Sequence, residues 1–257
     1  MRIDRYLAEN GYAKSREAAQ HMLRDGLVLV NGRTVTKPSF DVDETSSREI
    51  MLTGEGLRYV SRGGLKLERA LDAFNVDVTG ADAVDIGAST GGFTDCLLQR
   101  GAAHVRAIDV GRSQLDKRLE ADPRVTSYEG VNARYLAPEK IGGMCGLAVC
   151  DVSFISLTLI LPAVRAILLP QGHFVALIKP QFEAGRANIG KNGIVKDRAV
   201  HEDVIARVLD AAEACGLHCA GLTTSPITGG DGNREYLALF DGVGGFDRRS
   251  IKQIVHE

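Results

Sequence analysis

From residue 61 to residue 240 the chain alternates short runs of β-branched residues with longer stretches of helical periodicity. The candidate strands are residues 83–86, 105–108, 147–150, 173–178 and 236–240. Helical stretches between most of these runs predict a mostly parallel sheet covered by helices on both faces. In such a sheet, ligands bind at the carboxyl ends of the strands, so polar residues there are the first candidates for a functional site.

The first 60 residues have a different pattern of apolar and polar residues. Apolar residues recur at helical spacing from Ile3 and again after Ser15, a candidate N-cap. Residues 27–30 then form an apolar run that leads through an Asn-Gly pair into residues 33–35, which predicts a tight hairpin. We therefore expect two helices and a hairpin in a small α+β domain.

This change in residue pattern divides the chain into four predicted segments. We expect a small domain over residues 1–55, a linker over 56–61 that overlaps the end of the connecting stretch 41–60, a large α/β domain over 62–245 and a tail over 246–257. The tail is expected to form a short helix of unknown role.

Charge is unevenly distributed. Residues 1–40 hold seven basic and four acidic side chains, a surplus of three positive charges, whereas the whole chain has a formal net charge of -2. A local basic face can bind phosphates, although a solvated charged surface explains this pattern equally well.

A glycine-rich loop follows the first predicted strand of the large domain, in the sequence Asp-Ile-Gly-Ala-Ser-Thr-Gly-Gly-Phe over residues 85–93. It lacks the Gly-Lys-Ser/Thr ending of a P-loop, and Ser89 stands where a dinucleotide fingerprint needs glycine. One interpretation is a methyltransferase cofactor loop: Asp85 would orient the loop or a methionine moiety, Asp109 would accept hydrogen bonds from ribose hydroxyls, and residues 129–132 would contact adenine.

A serine hydrolase is the alternative interpretation of this loop. Residues 87–91 fit G-x-S-x-G between a strand and a helix, with Ser89 as the nucleophile. A triad also needs a later acid and histidine, and none of the candidate histidines has an evident catalytic context: His173, His201, His218 and His256.

Charged residues stand at the predicted strand ends. Asp151 follows the predicted strand 147–150, Lys179 follows 173–178 and Glu235 precedes 236–240, while Lys66 lies on the helix that leads into the domain. Because strand ends share one edge, Asp151 and Lys179 are expected to face one crevice.

Two family resemblances are carried by longer strings. Residues 2–7 (Arg-Ile-Asp-Arg-Tyr-Leu), 15–19 (Ser-Arg-Glu-Ala-Ala), Gly26 and 28–32 (Val-Leu-Val-Asn-Gly) resemble the small RNA-binding fold first described in a small-subunit ribosomal protein. Residues 61–64, 85–93, 151–156 (Asp-Val-Ser-Phe-Ile-Ser) and 179–183 (Lys-Pro-Gln-Phe-Glu) resemble the FtsJ-like RNA ribose methyltransferases, and the TlyA family in particular.

The resemblance implies a Rossmann-like sheet that uses S-adenosylmethionine to methylate ribose in ribosomal RNA, within a ribosomal subunit or its precursor, on a cytidine in this family. It places the family's tetrad on Lys66, Asp151, Lys179 and Glu235, with Lys179 as general base, Lys66 steering the hydroxyl and the two carboxylates orienting the amines. No metal is required.

Residue sets for binding follow from the motifs and the resemblance together. The cofactor set is Asp85, Gly87, Ala88, Ser89, Thr90, Gly91, Gly92, Phe93, Asp109, Asn132 and Asp151. The RNA set is Arg2, Arg5, Ser15, Arg16, Asn31, Arg33, Arg62, Arg186 and Lys191. The last two lie in residues 181–193, which look too irregular for a helix or strand; a mobile lid and an ordinary surface loop are both open interpretations.

The rest of the chain limits the compartment. Five cysteines without a dense framework suit a reducing environment, and Cys215 and Cys219 lack metal-ligand spacing, so ordinary packing at a helix end is expected there. The charged start and the absence of a long apolar run predict a cytoplasmic protein without a membrane partner. A membrane-active haemolysin, a name also given to this family, is therefore disfavoured.

Overall fold

The computed structural model describes residues 1–13, 15–24, 26–31, 33–42, 50–52, 58–190, 193–229 and 232–257. Gly32 of the predicted hairpin turn, Lys191 of the predicted RNA-binding set and residues 56 and 57 of the predicted linker lie outside this part of the chain.

The N-terminal elements form a small layer of two helices against three strands. Their bounds are α1 Ile3–Glu9, α2 Arg16–Arg24, β1 Val28–Val30, β2 Arg33–Thr34 and β3 Ile50–Leu52. The strands are antiparallel in the order β2-β1-β3. Their core includes Ile3, Leu7 and Leu23, all fully buried, so the expected two helices and hairpin are confirmed.

The strand β3 was not expected, because residues 41–60 read as a connecting stretch. It has only three residues, and its pairing with β1 joins segments about twenty residues apart in sequence. No local turn signal announces such a pairing, which explains why the sequence pattern missed it.

The large domain contains a seven-stranded sheet. Its strands are β4 Asp82–Ile86, β5 His104–Asp109, β6 Val125–Glu129, β7 Cys145–Cys150, β8 Leu168–Ile178, β9 His218–Thr224 and β10 Tyr236–Asp241. Their order is β6-β5-β4-β7-β8-β10-β9; the first five are parallel, and β10 is antiparallel to both of its neighbours. The predicted mostly parallel sheet is therefore confirmed.

The edge strand β9 corrects the expectation of helix-end packing around Cys215 and Cys219. Cys219 lies in the strand, while Cys215 caps the preceding helix. Gly221 weakens the strand pattern in the sequence, and the pairing of β9 with β10 is interrupted by an irregularity.

Helices cover both faces of the sheet. They are α3 Gly63–Phe74, α4 Gly92–Gln99, α5 Lys117–Glu120, α6 Leu161–Ile167, α7 Pro180–Glu183, α8 Arg198–Ala214 and α9 Ser250–His256. α3 and α4 pack with one face, and α6, α8 and α9 pack with the other. The short terminal helix expected in the tail is α9, with Ile251 and Val255 buried.

The end of the predicted linker is packed rather than exposed. Tyr59 and Val60 are buried, and the Val60 amide donates to Asp95 Oδ2 at 2.8 Å. The Tyr59 ring lies where a side chain at Gly64 would be, so this segment belongs with α3 and α4. The exact domain boundaries stay predictions.

A buried carboxylate organises the small domain. Asp4 has no exposed side-chain surface and accepts hydrogen bonds from Arg2 (3.0 Å to Oδ2), Arg16 (2.9 Å) and Gln20 (2.8 Å). Burial alone would raise the pKa of Asp4, but these hydrogen bonds outweigh it and lower the pKa to about 2. Asp4 thereby holds α1 and α2 together and fixes two arginines at the surface.

We expect Asp4→Asn to destabilise the small domain by about 2–3 kcal/mol at neutral pH, because charge-assisted hydrogen bonds from two arginines are lost. Since the folded pKa lies below the unfolded value, this contribution is complete above about pH 4 and disappears as the pH falls through about 2. Hydrogen exchange of the α1 and α2 amides measures it. Asp41→Asn, at an exposed ion pair with the N-terminus, is the control and should change little.

Candidate functional site

The carboxyl ends of β4, β5, β7 and β8 meet at one edge of the large sheet. The chain progresses from β4 through β5 to β6 on one side, then continues with β7 and β8 on the other. It therefore reverses its progress across the sheet between β4 and β7, where open α/β sheets bind ligands. Because β10 is antiparallel to β8, its first residues reach the same edge.

The glycine loop crosses this edge in close contact with backbone. Gly87 has a φ of +84°, and a Cβ there would lie 2.7 Å from the Asp151 carbonyl oxygen. The amides of Gly87 and Ala88 both donate to the Ile108 carbonyl, at 2.8 and 3.1 Å. Gly91, also at positive φ, is the N-cap of α4. The loop is thus fixed against β5 and β7 at its base.

Asp85 is fully buried beneath the loop. Its Oδ2 accepts a hydrogen bond from the Thr94 hydroxyl at 2.7 Å, and its Oδ1 has no hydrogen-bond partner among the residues that the structure describes. Burial raises the pKa of Asp85 to about 7, and the nearby carboxylates of Asp151 and Asp109 add to this rise. A buried carboxylate with an unused oxygen suits a cationic ligand group, which would stabilise its charged form.

The other predicted cofactor residues are placed differently. Asp109 accepts hydrogen bonds from the Ser89 amide (2.8 Å) and the Gly111 amide (2.7 Å), so it also shapes the loop. Asn132 Oδ1 accepts from the Arg134 amide and caps a 3₁₀ turn. Phe93 is buried in the core, which leaves its backbone rather than its ring for a ligand. Val110, beside Asp109, is 71% exposed and was missed by sequence reasoning.

The structure brings the four predicted tetrad residues together. Lys66 Nζ lies 2.6 Å from Glu235 Oε2 and 4.0 Å from Asp151 Oδ2, while Lys179 Nζ lies 2.5 Å from Asp151 Oδ1. The charges alternate in the order Glu235, Lys66, Asp151, Lys179. We call these four residues the charge chain.

The charge chain is largely shielded from water. Lys66 and Lys179 are buried, and Glu235 is only 2% exposed. Burial alone would raise the pKa of Asp151, but the charges of Lys179 and then Lys66 outweigh it and hold that pKa below its usual value. Two cations and two anions balance one another, which makes their burial tolerable.

Two polar neighbours extend the charge chain and were not predicted. Lys179 Nζ donates to Ser153 Oγ at 2.9 Å, and Gln181 Nε2 donates to Glu235 Oε1 at 3.1 Å. Both lie inside the strings 151–156 and 179–183 that carried the family resemblance, so the motifs contained them without distinguishing them from their neighbours.

An exposed aromatic ring stands at the same edge. Phe154 is 80% exposed at a φ of +65°, a conformation that is rare for a bulky residue. Its ring lies 5.1 Å from that of Phe182, which in turn lies 5.9 Å from Lys179 Nζ. An unburied phenylalanine held in a strained conformation beside charged groups indicates a surface for a planar ligand.

The stretch 181–193 is more regular than expected. It begins within α7 and continues into a 3₁₀ turn, Arg186–Asn188, so the prediction that it is too irregular for a helix is wrong over these residues. Glu183 accepts hydrogen bonds from Ser156 Oγ and the Leu157 amide, both at 2.6 Å, which anchors the start of the stretch. Arg186 is exposed.

The predicted RNA-binding residues of the small domain have mixed roles. Arg2 and Arg16 are held by Asp4 yet remain about half exposed, at 49% and 53%. Ser15 Oγ accepts from the Ala18 amide and caps α2, while Arg62 donates to the Arg24 carbonyl. Three others complete the set in this domain: Arg5, paired with Glu9, Asn31 at a φ of +51°, and the exposed Arg33.

The serine-hydrolase interpretation gains little from the structure. Ser89 Oγ lies 3.4 Å from His21 Nδ1, and no carboxylate bonds the other nitrogen of His21 within the described residues. His201, one of the predicted candidates, is instead buried between α8 and β10, where its Nδ1 contacts the Tyr236 hydroxyl.

The residues that the structure describes contain no group of three or more histidine, cysteine or acidic side chains arranged to hold a metal ion. None of their helices has the length and apolar character needed to cross a bilayer.

Comparison with known proteins identifies the family. Residues 59–241 match the model of the FtsJ-like methyltransferases, and residues 1–46 match the S4 domain. The chain therefore belongs to the FtsJ-like methyltransferase family and carries an S4 domain. The expected fold, a Rossmann-like methyltransferase sheet with a small α+β domain, is confirmed.

Three relatives illustrate the match. A Bacillus subtilis protein, YqxC, provisionally named an rRNA methyltransferase, is 50% identical over 92% of this chain and 84% of its own length. The 16S/23S rRNA (cytidine-2'-O)-methyltransferase TlyA of Mycobacterium tuberculosis is 43% identical over 92% and 88%. A solved structure from Streptococcus thermophilus, provisionally named a hemolysin, has 47% identity and a TM-score of 0.79, covering 100% of this chain and 94% of that one.

We expect Gly87→Ala to destabilise the protein by at least about 2 kcal/mol, because a Cβ at positive φ would press on the Asp151 carbonyl. Urea unfolding measures the change. Gly146→Ala is the matched control, since its Cβ would meet nothing within 4 Å, and it should cost less than about 0.5 kcal/mol. Equal losses in the two variants would contradict the tight loop crossing.

Proposed function

We propose that this chain transfers a methyl group from S-adenosylmethionine to the ribose 2′-oxygen of a cytidine in ribosomal RNA, within a ribosomal subunit or its precursor. The observation that carries the proposal is the charge chain at the sheet edge, with Lys179 Nζ 2.5 Å from Asp151, the residue whose backbone the glycine loop approaches at Gly87. The name of the Mycobacterium tuberculosis relative supports the nucleotide and the RNA class. Such a substrate implies a cytoplasmic location.

The glycine loop and its surroundings fit the cofactor. The carboxylate of Asp85 has an unused buried oxygen suited to an ammonium group, and Asp109 has lone pairs left for ribose hydroxyls. Asn132 and the exposed Val110 would flank the adenine, and Asp151 would border the sulfonium end. The remaining cofactor residues, Gly87 to Phe93, would contribute backbone. The cofactor supplies a methyl group already activated by its sulfonium charge.

The acceptor hydroxyl presents the harder problem. A ribose hydroxyl has a pKa roughly five units above neutrality, so full deprotonation would cost about 7 kcal/mol at about 1.36 kcal/mol per unit. A base that takes the proton while the oxygen forms its new bond to carbon avoids most of this cost. Lys179 is that base: it ends the charge chain, and its Nζ donates to Ser153 Oγ at 2.9 Å and lies 5.9 Å from the Phe182 ring.

The other members of the charge chain set the geometry. Asp151 holds the Lys179 amine in place, and Lys66, held by Glu235, places a second positive charge where negative charge grows on the oxygen. Lys179 must first release one proton to solvent; its neutral amine then takes the hydroxyl proton as the oxygen bonds to the methyl carbon and the bond from that carbon to sulfur breaks. In-line alignment of oxygen, carbon and leaving sulfur supplies much of the remaining rate.

RNA would be bound by both domains. The S4 domain presents Arg2, Arg5, Ser15, Arg16, Asn31 and Arg33, and the large domain adds Arg62, Arg186 and Lys191. Arginines held by Asp4 form a fixed fork for phosphate oxygens, which lowers the entropy lost on binding. The exposed Phe154 ring offers the nucleotide base a stacking surface next to the charge chain.

We expect Lys179→Ala to reduce transfer of labelled methyl from S-adenosylmethionine to purified ribosomal subunits by at least about 100-fold, because the general base is lost. Binding of the cofactor, measured by calorimetry, should be retained. Lys140→Ala, at an exposed lysine whose Nζ donates to the Tyr135 carbonyl, should transfer at the wild-type rate. Wild-type label absent from both subunits would overturn the proposed substrate, and full activity of Lys179→Ala would overturn the proposed base.

We expect the double change Arg186→Ala, Lys191→Ala to weaken RNA binding and to make it less dependent on salt concentration. With fewer phosphate contacts, fewer counterions are released when the RNA binds. Filter binding across a range of salt concentrations measures the slope. An unchanged slope would show that this stretch does not contact phosphates.

A further inference from the structure

Glu235 is the least exposed member of the charge chain, and it is fixed from two sides of the sheet. Side chains alternate between faces along a strand, so Glu235 and Tyr236 point in opposite directions. Glu235 meets Lys66 of α3, while Tyr236 packs in the core beneath α8. The mechanism uses the first contact and gives no role to the second.

Beneath α8 lies a buried polar cluster formed around the backbone of Val195. The Val195 amide donates to Asn233 Oδ1 at 3.1 Å, and the Val195 carbonyl lies 2.9 Å from His201 Nε2. The other nitrogen of His201, Nδ1, lies 2.8 Å from the Tyr236 hydroxyl. We call Asn233, Val195, His201 and Tyr236 the Val195 clasp.

The hydrogen bonds of the clasp have one consistent arrangement. A carbonyl oxygen can only accept, so His201 Nε2 carries a hydrogen and donates to Val195. Burial lowers the pKa of His201, aided by the charges of Arg234 and Arg198 against that of Asp197, which favours the neutral ring. His201 Nδ1 therefore accepts from the Tyr236 hydroxyl.

The clasp is too deeply buried to be an incidental surface feature. Asn233, Val195, His201 and Tyr236 are exposed by 1%, 3%, 4% and 0%. Asn233 Nδ2 also donates to the Gly193 carbonyl at 3.0 Å. Buried polar groups that lose a partner are costly, so the cluster strongly favours one arrangement of its backbone.

Asn233 and Tyr236 flank Glu235 at positions minus two and plus one, so fixing both fixes the backbone that carries its carboxylate. That carboxylate makes two close contacts, to Lys66 at 2.6 Å and to Gln181 at 3.1 Å. The Gly229 backbone also lies against the Glu235 carboxylate, since a Cβ at Gly229 would collide with Glu235 Oε1. A small shift of this backbone would therefore break the contact between Glu235 and Lys66.

We infer that His201 and Asn233 are positioning residues for methyl transfer: through Val195 and Tyr236 they hold Glu235 against Lys66, and thereby hold Lys66 at the acceptor hydroxyl. This inference rests on the proposed function. It assigns a role in the reaction to residues on the face of the sheet opposite Lys66.

The test is a double-mutant cycle on methyl transfer to ribosomal subunits. The incorporated label is counted long enough to measure the low activity of the weakest variant. Tyr236→Phe removes one hydroxyl and keeps the ring, so we expect kcat to fall about tenfold while KM for S-adenosylmethionine stays unchanged. In a Glu235→Gln background the same change should have no further effect, because it acts through Glu235. Tyr135→Phe, at a tyrosine that is 63% exposed, is the control and should leave kcat unchanged.

Two outcomes of the cycle would overturn the inference: an unchanged kcat in Tyr236→Phe, or an equal loss with and without the Glu235 carboxylate. A general loss of folding would appear in the melting temperature. His201→Gln, whose amide can still donate to Val195, should then retain more kcat than His201→Ala; equal kcat in these two would also count against the clasp.

A readout independent of activity separates this inference from the proposed function. In Tyr236→Phe the amine of Lys66 should react faster with acetic anhydride than in wild type, relative to exposed Lys140, because its Glu235 partner is loosened. Faster labelling in a protein whose wild type methylates neither subunit would support the clasp while overturning the substrate. Unchanged labelling would overturn the clasp.

Discussion

Two lysine ammonium groups meet at one edge of the large sheet, and the rest of the site depends on keeping them there. Buried cations are tolerated only when each has a carboxylate partner, so Lys66 and Lys179 require Glu235 and Asp151 between and beside them. The resulting order, negative, positive, negative, positive, gives a shielded chain that ends at an amine next to exposed Ser153. A base placed in this way is oriented before substrate arrives.

The topology of the sheet explains how four residues that are distant in sequence converge. Asp151 and Lys179 follow the parallel neighbours β7 and β8, which end at the same edge. Glu235 precedes β10, and the antiparallel pairing of Tyr236 with Ile178 places that end of the strand beside Lys179. α3 then crosses the face with Lys66. The antiparallel insertion of β10 is therefore what allows a residue before a strand, rather than after one, to complete the chain.

Much of this arrangement was predictable from local patterns, and the remainder required contacts that no local pattern contains. Asp151 and Lys179 follow apolar runs that read clearly as strands, whereas Lys66 and Glu235 were assigned to the tetrad through the family resemblance. The edge strand β3 was missed because its partner β1 lies about twenty residues away in sequence, and β9 was missed because Gly221 interrupts its apolar pattern and its pairing with β10 is irregular. The Val195 clasp was not predicted for a similar reason: Asn233 and His201 both reach the Val195 backbone only because α8 packs over the end of β10 that carries Tyr236.

The most direct test of the account is the chemical position of the transferred methyl group. RNA labelled by the wild-type protein can be hydrolysed in alkali, which cleaves each phosphodiester through attack by the neighbouring 2′-oxygen. Because a methyl group on that oxygen blocks the attack, the account predicts that the label remains in alkali-resistant dinucleotides. Label recovered wholly in mononucleotides would place the methyl group on a base and would contradict a site built to deprotonate a ribose hydroxyl.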